Sequence, residues 1–279
     1  MDKKKLKKKK LSYYIGYIPL SLYALICLFP FFWMVSSSFK EVADVMAYPP
    51  TLLPSEPIID NYIKAWTAVD FSTNMLNSAL ITCVATLSVV ITSAMAAYSM
   101  VVLKVRGSSL VLSLVLLGLI VPVQTSFVPM FMFFSKVKLI DTYTGVILPY
   151  MSSAFGVFML HQFFKALPLE LVDAARIDGL GEFNILLRIL MPIAKPGLVT
   201  LVIFTFMNVW TDFFWPFLLI NSADKRTVPV GIVAFWRADV PHYGIILAAA
   251  VISMIPLITV FALFQKQFVQ GIAFGGIKQ

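Results

Sequence analysis

The feature that most limits this chain is the length of its charge-free stretches. Residues 11–39, 71–103, 107–135, 142–164 and 240–265 carry no charged side chain, and 197–223 is broken only by Asp212. Crossing the hydrocarbon core of a bilayer takes roughly 20 apolar residues in a helix. Hydrophobic residues make up 59% of the chain and charged residues 13%, against about 25% charged in soluble domains. The pattern predicts an all-α polytopic membrane protein with six transmembrane helices, near 13–38, 73–103, 108–134, 142–165, 197–220 and 244–266.

The net charge of +8 is concentrated at the start, where MDKKKLKKKK precedes the first apolar run. Basic residues flanking a membrane helix stay on the cytoplasmic side, which accounts for the tail more simply than nucleic-acid binding does. The tail can also meet anionic headgroups. The first apolar run is longer than the 7–15 residues of a signal-peptide core and reads as an uncleaved membrane helix. With the N-terminus inside, six crossings place both termini in the cytoplasm. The loops after helices two and four then face inward, and those after helices one, three and five face outward. Cys27, Cys83, His161 and His242 are too far apart in sequence to suggest a metal site or a disulfide. Pro30, Pro122, Pro129, Pro149, Pro216 and Pro256 fall within the apolar runs, as kinks or as hinges.

One segment departs from this pattern. Within PLELVDAARIDGLGEFNILLRILMPIAKPG, Glu170, Asp173, Arg176, Asp178, Glu182 and Arg188 lie close together. Such charge density does not remain in lipid, so residues 168–196 read as a cytoplasmic insert. Pro168 and Glu170 suit a helix start. Leu171, Ala174, Ala175 and Ile177 give an apolar face, and Gly179 and Gly181 interrupt it. Phe183 to Leu190 form a second helical stretch, stopped by Pro192 and Pro196. Ala174 and Ala175 would allow close approach of a partner. Gly179 would permit a turn that a side chain obstructs, and Arg176 with the carboxylates would pair across a polar interface.

The insert resembles the cytoplasmic loop shared by permease subunits of bacterial binding-protein-dependent ABC importers. That pattern reads Glu-Ala-Ala, three residues, Gly, then an Ile-x-x-Pro-type ending. Here Asp173-Ala174-Ala175 precedes Gly179, and Ile189-Leu190-Met191-Pro192 closes the motif. Asp173 departs from the longer acid. Over roughly residues 70–279 the chain is similar to the MalG-type branch of carbohydrate importers. The matching stretches are IVPVQTSFVPMF (120–131), LIDTYTGVILPYMSSAFGVFML (139–160) and FQKQFVQGIAFGGIKQ (264–279).

The resemblance implies a MetI-like permease architecture in which the insert is a coupling-helix loop. Its ATPase-coupling residues would be Glu170, Asp173, Ala174, Ala175, Arg176, Asp178 and Gly179. The implied partners are a homologous second permease subunit, two ATP-binding subunits and an extracytoplasmic solute-binding protein. The location is the bacterial cytoplasmic membrane. The domain reading is a basic tail (1–10), a first transmembrane helix (11–39), an outer loop (40–72) and a permease core (73–279).

Chemistry within the chain is sparse. No Gly-x4-Gly-Lys-Ser/Thr phosphate loop occurs, so no catalytic residue, metal or cofactor is assigned, and ATP and Mg belong to the partner ATPase. Asp212 is the one acid inside an expected helix, roughly 22 Å from its start at 1.5 Å per residue. With Asn208, Trp210 and Thr211 it forms a candidate substrate path, because rings stack on sugar faces while polar groups bind hydroxyls. Where the family carries Trp-Asn-acid, this chain has Trp-Thr-Asp. Asp212 pairing within the bundle, with the tryptophans in an aromatic belt, is the other reading. Trp236, Arg237 and Asp239 in the last outer loop are candidate binding-protein contacts. A sugar is the expected cargo. Another solute carried by the same machine, or an ion-coupled secondary transporter, is the alternative.

Overall fold

The computed structural model of the protein describes residues 3–67, 70–237 and 242–276. All regular elements among these residues are helices, with no strand among them. They form two compact units, Met1–Val69 with Ile232–Ile252, and Asp70–Gly231 with Ser253–Gln279. Residues 232–237 and 242–252 of the expected core 73–279 fall in the first of these units.

The first unit opens with α1 (Lys3–Ser38), which runs unbroken through Pro19 and Pro30 and takes the basic tail into the same helix. Its apolar side chains from Tyr17 to Phe32 are exposed. Two short helices follow, α2 (Val42–Val45) and α3 (Asp60–Thr67). The Asn61 amide donates to the Ser38 and Lys40 carbonyls at 2.9 and 2.8 Å, which ties α3 to the end of α1. Lys40, in the expected outer loop, is buried. Its ammonium donates to the Thr51 carbonyl and lies 4.7 Å from the Trp33 ring centroid, where the ring's negative face stabilises it.

The second unit is built around α4 (Phe71–Val101). After it come α5 (Ser108–Ile120), a 3-10 turn (Val123–Ser126) and α6 (Phe127–Lys136). Next are α7 (Tyr143–Ile147), a second 3-10 turn (Leu148–Tyr150) and α8 (Ala154–Lys165). The insert comprises α9 (Glu170–Ile177), α10 (Glu182–Ile185), a π-helical turn (Leu186–Leu190) and α11 (Met191–Ile193). The chain continues as α12 (Lys195–Thr211), α13 (Phe214–Leu219), α14 (Val228–Ala234) and α15 (Tyr243–Gly276), the last two of which divide between the units after Gly231 and after Ile252. Two apolar cores fill the unit. One joins α4, α8 and α12 to the insert, and the other joins α4 to α6, α7 and α13.

Among the described residues, three helices are unbroken and long and apolar enough to span a membrane, and up to three more spans arise if each bent pair counts as one. The expected third helix turns by 94° between α5 and α6. Pro122 forces the preceding residue out of the helical region, and Val121 is extended at ψ 122°. The fourth bends by 42° before α8, where Ser153 is extended and its hydroxyl accepts the Gly156 N–H at 3.1 Å. The fifth, expected to be continuous over 197–220, stops at Asp212 with ψ 126° and resumes as α13. Pro30 and Pro256, by contrast, sit inside uninterrupted helices. Pro192 does not stop the second helical stretch either. A π turn precedes it, the helix carries on to Ile193, and the 84° bend falls at Ala194.

Hydrogen bonds fix which loops share an end of this unit. At the N-terminal end of α4, the Asn77 amide donates to the Asp224 and Arg226 carbonyls at 2.8 and 3.0 Å, and its oxygen accepts from the Tyr143 hydroxyl. Nearby, the Asp141 carboxylate accepts from the Asn221 and Ser222 backbone N–H groups, from the Ser222 hydroxyl and from the Lys225 ammonium. At the C-terminal end of α4, Tyr98 meets Glu182 of the insert. The loop expected to face inward before α5 and the insert thus lie at one end, and two of the loops expected to face outward lie at the other.

Candidate functional site

The insert is a folded element with its own sealed side. Residues 172 and 175 of α9 face inward, and Val172 and Ala175 join the core with Tyr98, Val101, Ile185, Leu186 and Leu190. Glu170, Asp173, Ala174, Ile177 and Asp178 are exposed. Their spacing of three and four places them along one stripe of the helix. Ile177, though apolar, is 87% exposed.

Gly179 closes α9 in a Schellman arrangement. Its φ is +81°, its N–H donates to the Arg176 carbonyl, and the Leu180 N–H donates to the Ala175 carbonyl, both at 3.0 Å. Leu180 then packs on the core beside Ala175. The reason expected for glycine here, relief of an obstruction, does not hold. Nothing stands within 4 Å of where a Cβ would lie, so the constraint comes from the left-handed backbone.

Arg176 also differs from expectation. It turns back into the chain: Nε and Nη2 donate to the two Glu182 carboxylate oxygens at 2.8 and 3.1 Å, and Nη1 donates to Asp173 Oδ1 at 3.2 Å. The forked pair joins α9 to α10 across the Gly179 turn, in the bidentate geometry that suits guanidinium and carboxylate. Glu182 Oε2 also accepts from the Tyr98 hydroxyl of α4. Ala175 likewise packs inside the chain, so of the alanine pair only Ala174 is open to a partner. Glu182 stood out in the sequence as one charge of a dense group. Tyr98 gave no signal, because it sits in a run of apolar residues and its partner is 84 positions away.

The four candidate path residues divide. Trp210 is buried, stacks on Phe206 and donates its indole N–H to the Ser253 carbonyl at 3.0 Å. Asn208 and Thr211 lie exposed one helical turn apart, with the Thr211 hydroxyl bonded to the Met207 carbonyl. Asp212 occupies the break after α12. One carboxylate oxygen accepts the Phe214 N–H at 2.8 Å and the other accepts the Tyr150 hydroxyl at 2.6 Å. A ring cluster adjoins it, with Phe127 stacked on Phe214 and edge-on to Trp215. In the last loop Trp236 is exposed and edge-on to Tyr243. The Arg237 side chain and Asp239 lie outside the described residues.

The family model for the binding-protein-dependent transport system inner membrane component matches residues 88–274, and the chain belongs to that family. It is 33% identical over 258 residues to the arabinooligosaccharides transport system permease protein AraQ of Halalkalibacterium halodurans, covering 91% of this chain and 92% of that one. It is 31% identical over 265 residues to the diacetylchitobiose uptake system permease protein NgcG of Streptomyces coelicolor, covering 94% and 87%. Its fold matches a crystal structure of a bacterial ABC transporter involved in import of the acidic polysaccharide alginate, with TM-score 0.80, 21% identity, and 94% and 98% of the two chains covered.

Proposed function

We propose that this multi-pass chain passes a sugar through the cytoplasmic membrane in an ATP-driven importer, and that residues 168–196 receive the stroke of a separate ATPase. The observation that carries the coupling role is the exposed stripe of α9 on a rigid, core-packed insert. Glu170, Asp173 and Asp178 offer charges to basic groups of a partner, and Ala174 and Ile177 offer apolar contact. Two ATPase subunits holding ATP and Mg would dock there, with a second homologous permease alongside and a binding protein on the opposite face. The chain itself would hold no cofactor and catalyse no reaction. Both termini would lie on the ATPase side.

The cargo class is supported by the oligosaccharide relatives and by the surroundings of Asp212. An acid fixed at a helix break, beside Asn208 and Thr211 and close to exposed rings of Phe214 and Phe217, suits a ligand with hydroxyls on one side and C–H faces on the other. Closure of the ATPase pair would shift the insert as a body and reverse the side on which the path opens. The test is uptake of labelled oligosaccharides by the complete complex in liposomes, with ATP enclosed on the insert side. Uptake that needs both ATP hydrolysis and the binding protein is the expected result. Transport driven by an ion gradient without ATP sinks the proposal, and a preference for peptides or amino acids in a ligand panel sinks the sugar assignment.

A further inference from the structure

Docking an ATPase on the outer stripe of α9 does not account for the hydrogen bonds on its other side. One carboxylate, Glu182, receives a guanidinium fork from α9 and a hydroxyl from α4. Three elements therefore meet on two oxygen atoms. Tyr98 is only 4% exposed, so a hydroxyl that lost this acceptor would have little water to replace it. The apolar seat beneath α9 consists of Val172 and Ala175, and apolar contact alone is non-directional and lets a short helix slide. Charge-assisted bonds add the direction that burial lacks.

We infer that Tyr98 and Glu182 are positioning residues that make the insert and α4 one moving body, an inference that rests on the coupling role proposed above. A push on α9 reaches α10 through Arg176 and Glu182. The same carboxylate delivers it to α4, which carries both apolar cores of the unit. Without the Tyr98 hydroxyl, the insert would give against the bundle before the bundle moved. ATP would still be hydrolysed, but less of each stroke would reach the transport path.

The test compares Tyr98→Phe with wild type in the complete complex in liposomes, reading sugar uptake and ATP hydrolysis on the same sample. The variant removes one hydroxyl and keeps the ring that packs in the core. Uptake per ATP is expected to fall about tenfold, the scale of one hydrogen bond to a charged group, while hydrolysis and subunit composition hold. Tyr98→Phe added to Glu182→Ala is expected to cost nothing beyond Glu182→Ala alone, because both remove the same link. Should Tyr98→Phe fail to assemble, Glu182→Asp makes the same comparison by shortening the arm while keeping the charge.

Wild-type uptake per ATP in the variant overturns the inference. So does an equal fall of uptake and hydrolysis in an intact complex, which leaves uptake per ATP unchanged and is the signature of a purely structural bond. A wild-type complex whose uptake is independent of ATP sinks the coupling role itself, before any variant is compared.

Discussion

At Gly179 and Gly197 the same side-chain atom is excluded for opposite reasons. A Cβ on Gly179 would meet open space, and the difficulty is φ at +81°. A Cβ on Gly197 would lie 2.6 Å from the nearest carbon of the Phe163 ring. Gly179→Ala is therefore expected to cost roughly 1–2 kcal/mol of backbone strain, with no repacking. Gly197→Ala is expected to cost about 1–3 kcal/mol through overpacking, and trimming the ring with Phe163→Leu should recover part of it. Thermal unfolding of the purified complex measures both. Additivity of Gly197→Ala and Phe163→Leu would show that the ring is not the obstacle. A turn at Gly179 was legible in the sequence, because two glycines follow an amphipathic run. Its cause was not, since a φ angle and an empty surrounding leave no mark on composition.

Among elements, α9 separates its two alanines. Ala174→Leu is expected to leave thermal stability unchanged and to weaken co-purification of the ATPase, whereas Ala175→Leu is expected to lower stability as an overpacked core does. The reverse order would mean that α9 is rotated about its axis. The loops at the opposite end are joined by Asp141, whose carboxyl is held well below the usual carboxylate range, chiefly by the Ser222 hydroxyl and then by the Ser222 backbone N–H. A depressed folded pKa stabilises above the unfolded value and is lost as pH falls through the folded one. The Asn221 and Ser222 amides should thus keep their protection factors at neutral pH and lose them only below about pH 4. In Asp141→Asn they should exchange faster at all pH values, which hydrogen exchange would reveal. The helices themselves could be read from missing charge, but their breaks could not. Pro30 and Pro256 are accommodated within helices while Pro122 bends one, and that choice depends on which neighbours can take up the freed carbonyl.

For the whole molecule, the alternation of loops between two ends yields an orientation test. With Cys27 and Cys83 replaced by serine, a single Ala223→Cys should react with an impermeant maleimide added outside intact cells. Ala166→Cys should react only after permeabilisation. Equal labelling of both from outside would invert the proposed topology. The sequence supported this alternation weakly, because outside the tail its basic residues divide almost evenly between the two sides. The long-range bonds of Asn77, Asp141 and Tyr98 decide which loops meet, and no local pattern announces a partner up to 149 positions away.

The shared carboxylate of Glu182 also bears on inhibitor design. A synthetic peptide spanning 168–196 would carry the outer stripe of α9 yet lack the phenol that helps hold its two limbs together. Such a peptide should be largely unstructured in water and a poor competitor for the ATPase surface. A covalent staple between the positions of Arg176 and Glu182 would stand in for the missing support, and it gives a decoy ligand a defined shape to imitate.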